Sequence, residues 1–183
     1  MVKHFEKRGL VLRYIIVLLM ISNMLSAQQG KTIWVDTSYH LINEPYYFDS
    51  LKISIIPPAY FKPFHTDKKF GFIHKGAAAT IDVEVIPNVL YTYVVQGMNK
   101  DELAKQHVTL KDHQEVLTNQ GKKADWFLLG FTLGTGDKKM EFERMMLITG
   151  DAKRTILVIG NYPLIARNVL FQVMKESLLS IDF

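Results

Sequence analysis

Two strand-like segments in the second half of the chain are apolar on both of their faces. In residues 124–133, Trp126 and Leu128 belong to one face, and Phe127, Leu129 and Phe131 belong to the other. Residues 155–160 repeat this pattern. Successive side chains of a strand point to opposite faces, so such a strand has no side suited to water. Only helices are left to cover both faces. The sequence therefore predicts an α+β fold, a three-layer α/β/α sandwich around a mostly antiparallel sheet.

These segments belong to a series of strands joined by short turns. Residues 113–118, 124–133, 140–149 and 155–160 have strand patterns, and the sequences Asn-Gln-Gly, Gly-Thr-Gly-Asp and Gly-Asp separate them. Such short glycine-containing sequences favour tight turns, so the series is predicted to be an antiparallel meander. Three further strands are predicted upstream, at residues 51–56, 70–74 and 79–86.

Two helices are predicted to cover the sheet. Residues 98–110 contain helix-forming side chains with Asn99 placed as the N-cap, and a shorter helix can precede them. Residues 164–179 place Ile165, Val169 and Val173 on one apolar stripe of a C-terminal helix. One helix is therefore available for each face of the sheet.

The N-terminal segment has the pattern of an export signal. Four basic residues precede an apolar run at residues 14–25, which is shorter than the roughly 20 residues that span a bilayer. We expect residues 1–27 to be a signal peptide, cleaved after Ala27 or retained as an anchor. The expected location is periplasmic or secreted.

The rest of the chain is predicted to be a lead-in at residues 28–50, with an edge strand at residues 31–36 or an ordered arm, followed by one domain at residues 51–183. The chain has no cysteine, so it can form neither a disulfide nor a cysteine-linked lipid anchor. Without the leader's four basic residues and one acidic residue, the formal net charge of +4 falls to about +1. No nucleic-acid partner and no membrane span of the mature form are expected.

Three segments carry a resemblance to a known fold family. They are ISIIPPAYF at residues 53–61, ATIDVEVIP at residues 79–87, and GDAKRTILVIGNYP at residues 150–163 followed by an amphipathic helix. Their order resembles the PsbP-like fold of the extrinsic photosystem II subunit and of DcrB-type periplasmic proteins. The resemblance covers residues 51–183. It implies a non-enzymatic exported domain that acts by contact with other macromolecules.

Motifs for catalysis or metal binding are not found. The chain has no Gly-x-Ser-x-Gly sequence, and its glycines at 130, 134 and 136 lack the lysine-serine/threonine pair and the following helix of a phosphate loop. His107, Asp112 and His113 lack the spacing of metal ligands. The carboxylate pairs Asp82 with Glu84 and Glu141 with Glu143 are interpreted as residues on the solvated faces of strands. No catalytic residue, metal or cofactor is predicted.

The first half of the chain after the leader is rich in aromatic residues, which are frequent at interfaces. The first hypothesis is an accessory module that contacts a protein partner through Tyr60, Phe61 and Phe64. The rival hypothesis is a carrier that holds a small apolar or aromatic molecule between the sheet and the helix at residues 98–110. An enzyme with a scattered site is the third.

Overall fold

The computed structural model of the protein describes residues 39–66 and 69–183. The predicted signal peptide and the possible edge strand at residues 31–36 lie outside the described residues. The strands are β1 (Tyr46–Phe48), β2 (Ile53–Ile55), β3 (Lys62–Thr66), β4 (Lys69–His74), β5 (Ala79–Pro87), β6 (Thr109–Leu117), β7 (Lys123–Leu133), β8 (Met140–Gly150) and β9 (Arg154–Pro163). The helices are α1 (Tyr91–Gly97), α2 (Lys100–Ala104) and α3 (Arg167–Leu179).

Seven of these strands form one antiparallel sheet in the order β3-β4-β5-β9-β8-β7-β6, and β1 and β2 form a separate hairpin. Strands β6 to β9 are neighbours in chain order, which confirms the predicted meander. Strand β5 joins this meander by pairing with β9. Within the described part of the chain, no helix is both long enough and apolar enough to span a membrane.

The buried apolar side chains form two clusters, one on each face of the sheet. Trp126 packs in the cluster beneath α3 and the β1–β2 hairpin, whereas the next residue, Phe127, packs in the cluster beneath α1 and α2. Burial of a large apolar side chain contributes roughly 1.5–3 kcal/mol, so the two-sided strands stabilise both layers. The predicted α/β/α layering is confirmed.

The helix predicted at residues 98–110 is wrong in extent. Asn99 does cap a helix, since its side chain accepts the Glu102 N–H at 3.0 Å, but α2 ends at Ala104. His107 then has a φ of 58°, which no α-helix accommodates, and Thr109 already pairs with Gly130 of β7. Sheet pairing therefore outweighs the local helix propensity at the end of this segment.

The ends of the C-terminal helix also differ from the prediction. Val173 is buried on α3 as expected, together with Leu170 and Met174. Ile165, assigned to the same stripe, is 91% exposed because residues Leu164–Ala166 form a 3₁₀ turn before the helix begins. A 3₁₀ turn rotates side chains out of the α-helical stripe.

Candidate functional site

Aromatic rings from several segments gather along β4, on the face of the sheet that α3 and the β1–β2 hairpin cover. Neighbouring rings meet mostly edge to face, with centroids 5.1–6.0 Å apart. This geometry stabilises aromatic pairs beyond the area that they bury. We call these residues the aromatic cluster: Tyr39, Tyr46, Phe48, Tyr60, Phe61, Phe70, Phe72 and His74.

Tyr60 occupies an unusual backbone position in this cluster. It is the third residue of the turn that the Phe61 N–H closes on the Pro58 carbonyl at 3.2 Å, and its φ is 70°. This left-handed conformation normally belongs to glycine or asparagine, and it costs a bulky residue of order 1–3 kcal/mol. The side chain of Tyr60 is nevertheless 57% exposed. Little burial offsets the backbone strain, so a role in binding is a hypothesis worth testing.

Half-buried neighbours hold Tyr60 in place. Its ring packs edge-on against Tyr39, whose hydroxyl lies 2.8 Å from Nε2 of His74. The other ring nitrogen of His74, Nδ1, accepts the Ala77 N–H at 3.0 Å. Because Nδ1 is an acceptor, the proton of the neutral ring lies on Nε2, which donates to the Tyr39 hydroxyl. The exposed Tyr60 is therefore supported by Tyr39 and His74, which are hydrogen-bonded to each other.

The three residues predicted to contact a partner occupy different environments. Tyr60 is exposed, whereas Phe61 is 7% exposed and packs against His74 in the core. Phe64 lies on β3 opposite Gly71, while its neighbour His65 stacks on Phe70 of the cluster face. Adjacent strand residues point to opposite faces, so Phe64 lies on the other side of the β3–β4 hairpin. The structure brings Tyr60 and Phe61 together and separates Phe64 from them.

A second feature is a pocket of about 580 Å³ near the start of α3, on the same face of the sheet. One part of its lining is apolar, with Trp126 and Leu128 from β7 and Phe171 from α3. The other part is charged and centres on Glu143, with Lys111 and Arg167 beside it. A pocket of this volume is large enough for a small organic molecule.

Glu143 is the buried centre of the charged part, at 1% exposure. Its Oε1 accepts from Lys111 Nζ at 2.9 Å, and its Oε2 accepts from the Tyr162 hydroxyl at 2.6 Å and from Arg167 Nη1. The two basic side chains keep about a third of their surface exposed, at 35% for Lys111 and 39% for Arg167. The hydrogen bonds to Glu143 thus link β6, β8, β9 and α3.

The protonation of Glu143 follows from these neighbours. Burial alone would raise the pKa of Glu143, but hydrogen bonds from Lys111 and Tyr162 and the charges of Lys111 and Arg167 outweigh it, so the pKa lies below its usual range. Burial and the hydrogen bond to Glu143 raise the pKa of Tyr162. A carboxylate that already accepts hydrogen bonds on both oxygens and has a low pKa holds its neighbours in place. It is a poor proton acceptor at neutral pH.

Gly130 is needed for Lys111 to reach Glu143. Gly130 pairs with Glu143 across the sheet, and a Cβ at residue 130 would lie 2.6 Å from Cε of Lys111. Lys111 itself lies at an irregularity between Leu110 and Asp112, where β6 changes register. The bulge and the glycine together allow the lysine side chain to cross the intervening strand.

We expect Gly130→Ala to move Lys111 away from Glu143. The loss of a charged hydrogen bond should lower the free energy of unfolding by about 1 kcal/mol, measured by denaturant titration. In a Lys111→Ala background the same substitution should cost nothing, because the clash is gone and alanine suits a strand better than glycine. Equal costs in both backgrounds would contradict this account of Gly130.

The solvated position predicted for Glu143 is wrong. The two-residue spacing from Glu141 correctly placed both on one face of β8, but Glu141 is exposed while Glu143 is covered by α3 and the turn before it. Asp82 is also less solvated than predicted, because it is half-buried. Burial raises the pKa of its carboxyl group. Lys111 and Arg167 are far from Glu143 in sequence, so no local spacing indicated this site.

A separate polar network lies on the opposite face of the sheet. Arg144, 2% exposed, donates to Asn161 at 2.7 Å, and Asn161 donates to Thr80 at 3.1 Å. Burial lowers the pKa of Arg144 to about 10, and the nearby charge of Asp82 acts against this. The network ties β8, β9 and β5 together, which is a structural role.

The histidines tested for metal binding are also located by the structure. His113 stacks on Phe127 with centroids 4.1 Å apart, and its Nε2 lies 2.8 Å from Asp125 Oδ1. His107 lies in the turn after α2. Among residues 39–66 and 69–183, no group of three or more potential ligands is close enough together to hold a metal ion.

Comparisons with known proteins give structural matches only. No protein-family model and no curated protein matches the sequence. The structure is similar to cyanobacterial PsbP (CyanoP) from Synechocystis sp. PCC 6803, with 10% identity, a TM-score of 0.52, and coverage of 87% of this chain and 98% of that one. This likeness, taken with the large antiparallel sheet, confirms a PsbP-like α+β fold.

Two other solved structures are more distant. LpqN of Mycobacterium tuberculosis, described as involved in cell envelope biogenesis, has 12% identity and a TM-score of 0.46, with 78% of this chain and 90% of that chain covered. A protein from Bacteroides thetaiotaomicron VPI-5482 has 10% identity and a TM-score of 0.44, with 71% and 44% covered.

Proposed function

We propose that this chain, which has a PsbP-like fold, is an exported accessory domain that acts by binding a protein partner at the aromatic cluster. The signal-like pattern of residues 1–27 supports export to the periplasm or beyond. The observation that supports this contact site is Tyr60, an exposed tyrosine held in a strained conformation against the half-buried ring of Tyr39. Tyrosine is enriched among residues that dominate binding energy, and pre-organisation lowers the entropic cost of binding.

The contact surface is expected to centre on Tyr60 and to include Tyr46. Tyr46 is 39% exposed, and its ring meets Phe72 of β4 at 5.2 Å. Phe72 and His74 point to the same face of β4, so β4 links the rings around Tyr46 to those around Tyr60. Phe61 supports this surface from the core, and contact by Phe64 requires the partner to reach the other face of the hairpin.

Replacing Tyr60 with asparagine tests the proposal. Asparagine tolerates a left-handed φ, so Tyr60→Asn should leave the free energy of unfolding unchanged or higher. Loss of a binding hot spot of about 2 kcal/mol should weaken partner binding roughly 30-fold. The partner is to be identified by photo-crosslinking in the native cell envelope from a benzoylphenylalanine at position 60, and the affinity then measured with the purified partner.

Two controls separate contact from general exposure. A crosslinker at Leu117, which is 61% exposed on the edge strand β6, should give no adduct with the same partner. Tyr93→Asn, at a tyrosine 48% exposed on α1, should bind the partner normally. Wild-type affinity of Tyr60→Asn for the crosslinked protein would refute the proposed contact site.

A second candidate function is carriage of a small ligand. The pocket beside α3 favours it, because apolar and charged side chains converge there around an open volume. The sequence placed such a cleft beneath the helix at residues 98–110, on the other face of the sheet, and the pocket lies instead between β7, β8 and the start of α3. The two functions involve different surfaces and can be tested independently.

A further inference from the structure

The pocket beside α3 has unused hydrogen-bond donors, and both oxygens of its central carboxylate already accept hydrogen bonds. Both oxygens of Glu143 are occupied by Lys111, Tyr162 and Arg167. Arg167 uses Nη1 for this contact, and a guanidinium carries five N–H donors in all. Glu143 is its only hydrogen-bond partner among the described residues, so its other N–H groups remain available, and its side chain is 39% exposed. Arg167 therefore offers a ligand in this pocket donors that Glu143 does not use.

Trp126 adds a buried donor to the same wall. Its Nε1 is inaccessible to solvent and has no hydrogen-bond partner among the described residues. A buried donor without an acceptor is costly, and native proteins rarely keep one without a reason. The side chains that lie on the ring belong to α3: Phe171 meets it edge-on at 6.2 Å, and Lys175 Nζ lies 4.7 Å from the ring centroid.

The charged residues that line the pocket balance one another, and Lys175, which lies outside the lining and over the Trp126 ring, adds one positive charge. The basic groups are Lys111, Arg167 and Lys175, and the acidic groups are Glu143 and Asp112, which accepts from Gln114 at 2.8 Å. A single negative charge on a ligand would balance them. The apolar lining of Trp126, Leu128, Leu164 and Phe171 would bury the rest of such a molecule.

We propose that this pocket binds a small monocarboxylate with an aromatic or compact apolar body. The proposal rests on the second candidate function, carriage of a ligand, and adds the chemical class of that ligand. The carboxylate accepts hydrogen bonds from Arg167 and Lys111, and the apolar body lies against Phe171 and the ring of Trp126. A bidentate arginine contact is the geometry that proteins favour for carboxylates.

The test uses 4-phenylbutyrate as the probe and its neutral isostere 4-phenylbutyramide as the matched control. The protein is produced from the full chain with Trp34→Phe, so that Trp126 is the only tryptophan left. Its indole N–H then gives a single nitrogen-15 NMR signal, which reports directly on the pocket. We expect 4-phenylbutyrate to shift this signal saturably, and the amide to bind at least tenfold more weakly.

Three variants locate the binding. Arg167→Gln and, separately, Gly130→Ala, which displaces Lys111, should each weaken binding of 4-phenylbutyrate about tenfold or more. Lys105→Gln removes an exposed lysine on the opposite side of the sheet and should leave the affinity unchanged. Because Arg167→Gln and Gly130→Ala are made one at a time, Glu143 keeps one cation and Tyr162 in each variant, and the fold is expected to persist.

The outcomes separate the two proposals. Equal binding of 4-phenylbutyrate and its amide would leave carriage of a ligand standing and overturn the carboxylate assignment. Absence of any shift with either compound would overturn both. Binding of 4-phenylbutyrate that is unaffected by Arg167→Gln would overturn this pocket as its site.

Discussion

Replacing both cations beside Glu143 with methionine, Lys111→Met with Arg167→Met, is expected to lower the free energy of unfolding by about 3 kcal/mol. Glu143 is 1% exposed and would keep only the Tyr162 hydroxyl as a partner. An uncompensated buried charge accounts for costs of this size. We take the lower end of the usual range because both cations are about one-third exposed and screened by solvent.

The pH dependence of this double variant should differ in sign from that of the wild type. In the wild type the pKa of Glu143 is lowered, so its contribution to stability is present above the usual carboxyl pKa and is lost as the pH falls through the folded value. Without the cations burial dominates and the pKa is raised. The folded state then binds the proton more tightly, so the deficit relative to wild type should shrink as the pH falls from the raised folded pKa toward the usual carboxyl pKa.

A third substitution tests the cause of the deficit. Adding Glu143→Gln to the double variant removes the unpaired charge while its side-chain oxygen still accepts from Tyr162. We expect this triple variant to recover about 2 kcal/mol of the lost stability at pH 7, measured by urea titration with the slope held constant. A triple variant as unstable as the double would mean that the deficit does not come from the buried carboxylate.

The layers of this fold could be predicted because they depend on local pattern. Side chains 126 to 129 are apolar in both alternating sets, and this alone requires cover on both faces of the sheet. The turns between β6 and β9 have the glycine and asparagine residues that tight reversals need, so the meander followed as well. The sequence predicts neither strand β1 nor the edge strand β3, because β1 has only three residues and β3 contains a proline, so neither shows a clear period.

The candidate sites could be predicted only in part, because the residues that form them are far apart in the sequence. The aromatic residues were conspicuous in sequence, but their gathering on β4 depends on pairing between segments up to 35 residues apart, such as Tyr39 with His74. Glu143 shows the same limit more strongly. Its partner Lys111 is 32 residues away and reaches it through a bulge and a glycine, neither of which has a sequence signal for that contact.

The largest effect of a single small substitution is expected at Gly71, in the middle of β4. A Cβ at this position would lie 2.0 Å from the carbonyl oxygen of Ile81 on β5, which is a clash with backbone. Because no side-chain rotation can relieve it, Gly71→Ala must separate β4 from β5, where Gly71 pairs with Asp82. We expect a loss of at least about 3 kcal/mol, the upper end for overpacking.

The damage from Gly71→Ala should fall on the aromatic cluster before the rest of the sheet. Phe70, Phe72 and His74 all lie on β4, so hydrogen exchange should rise first in the β3–β4 hairpin and stay slow in β7 and β8. Gly76→Ala is the matched control, because its Cβ would meet only the ring of His74 at 3.3 Å, and it should cost less than about 1 kcal/mol. If Gly71→Ala were as stable as Gly76→Ala, the close approach of β4 to β5 would not be what holds the aromatic cluster on the sheet.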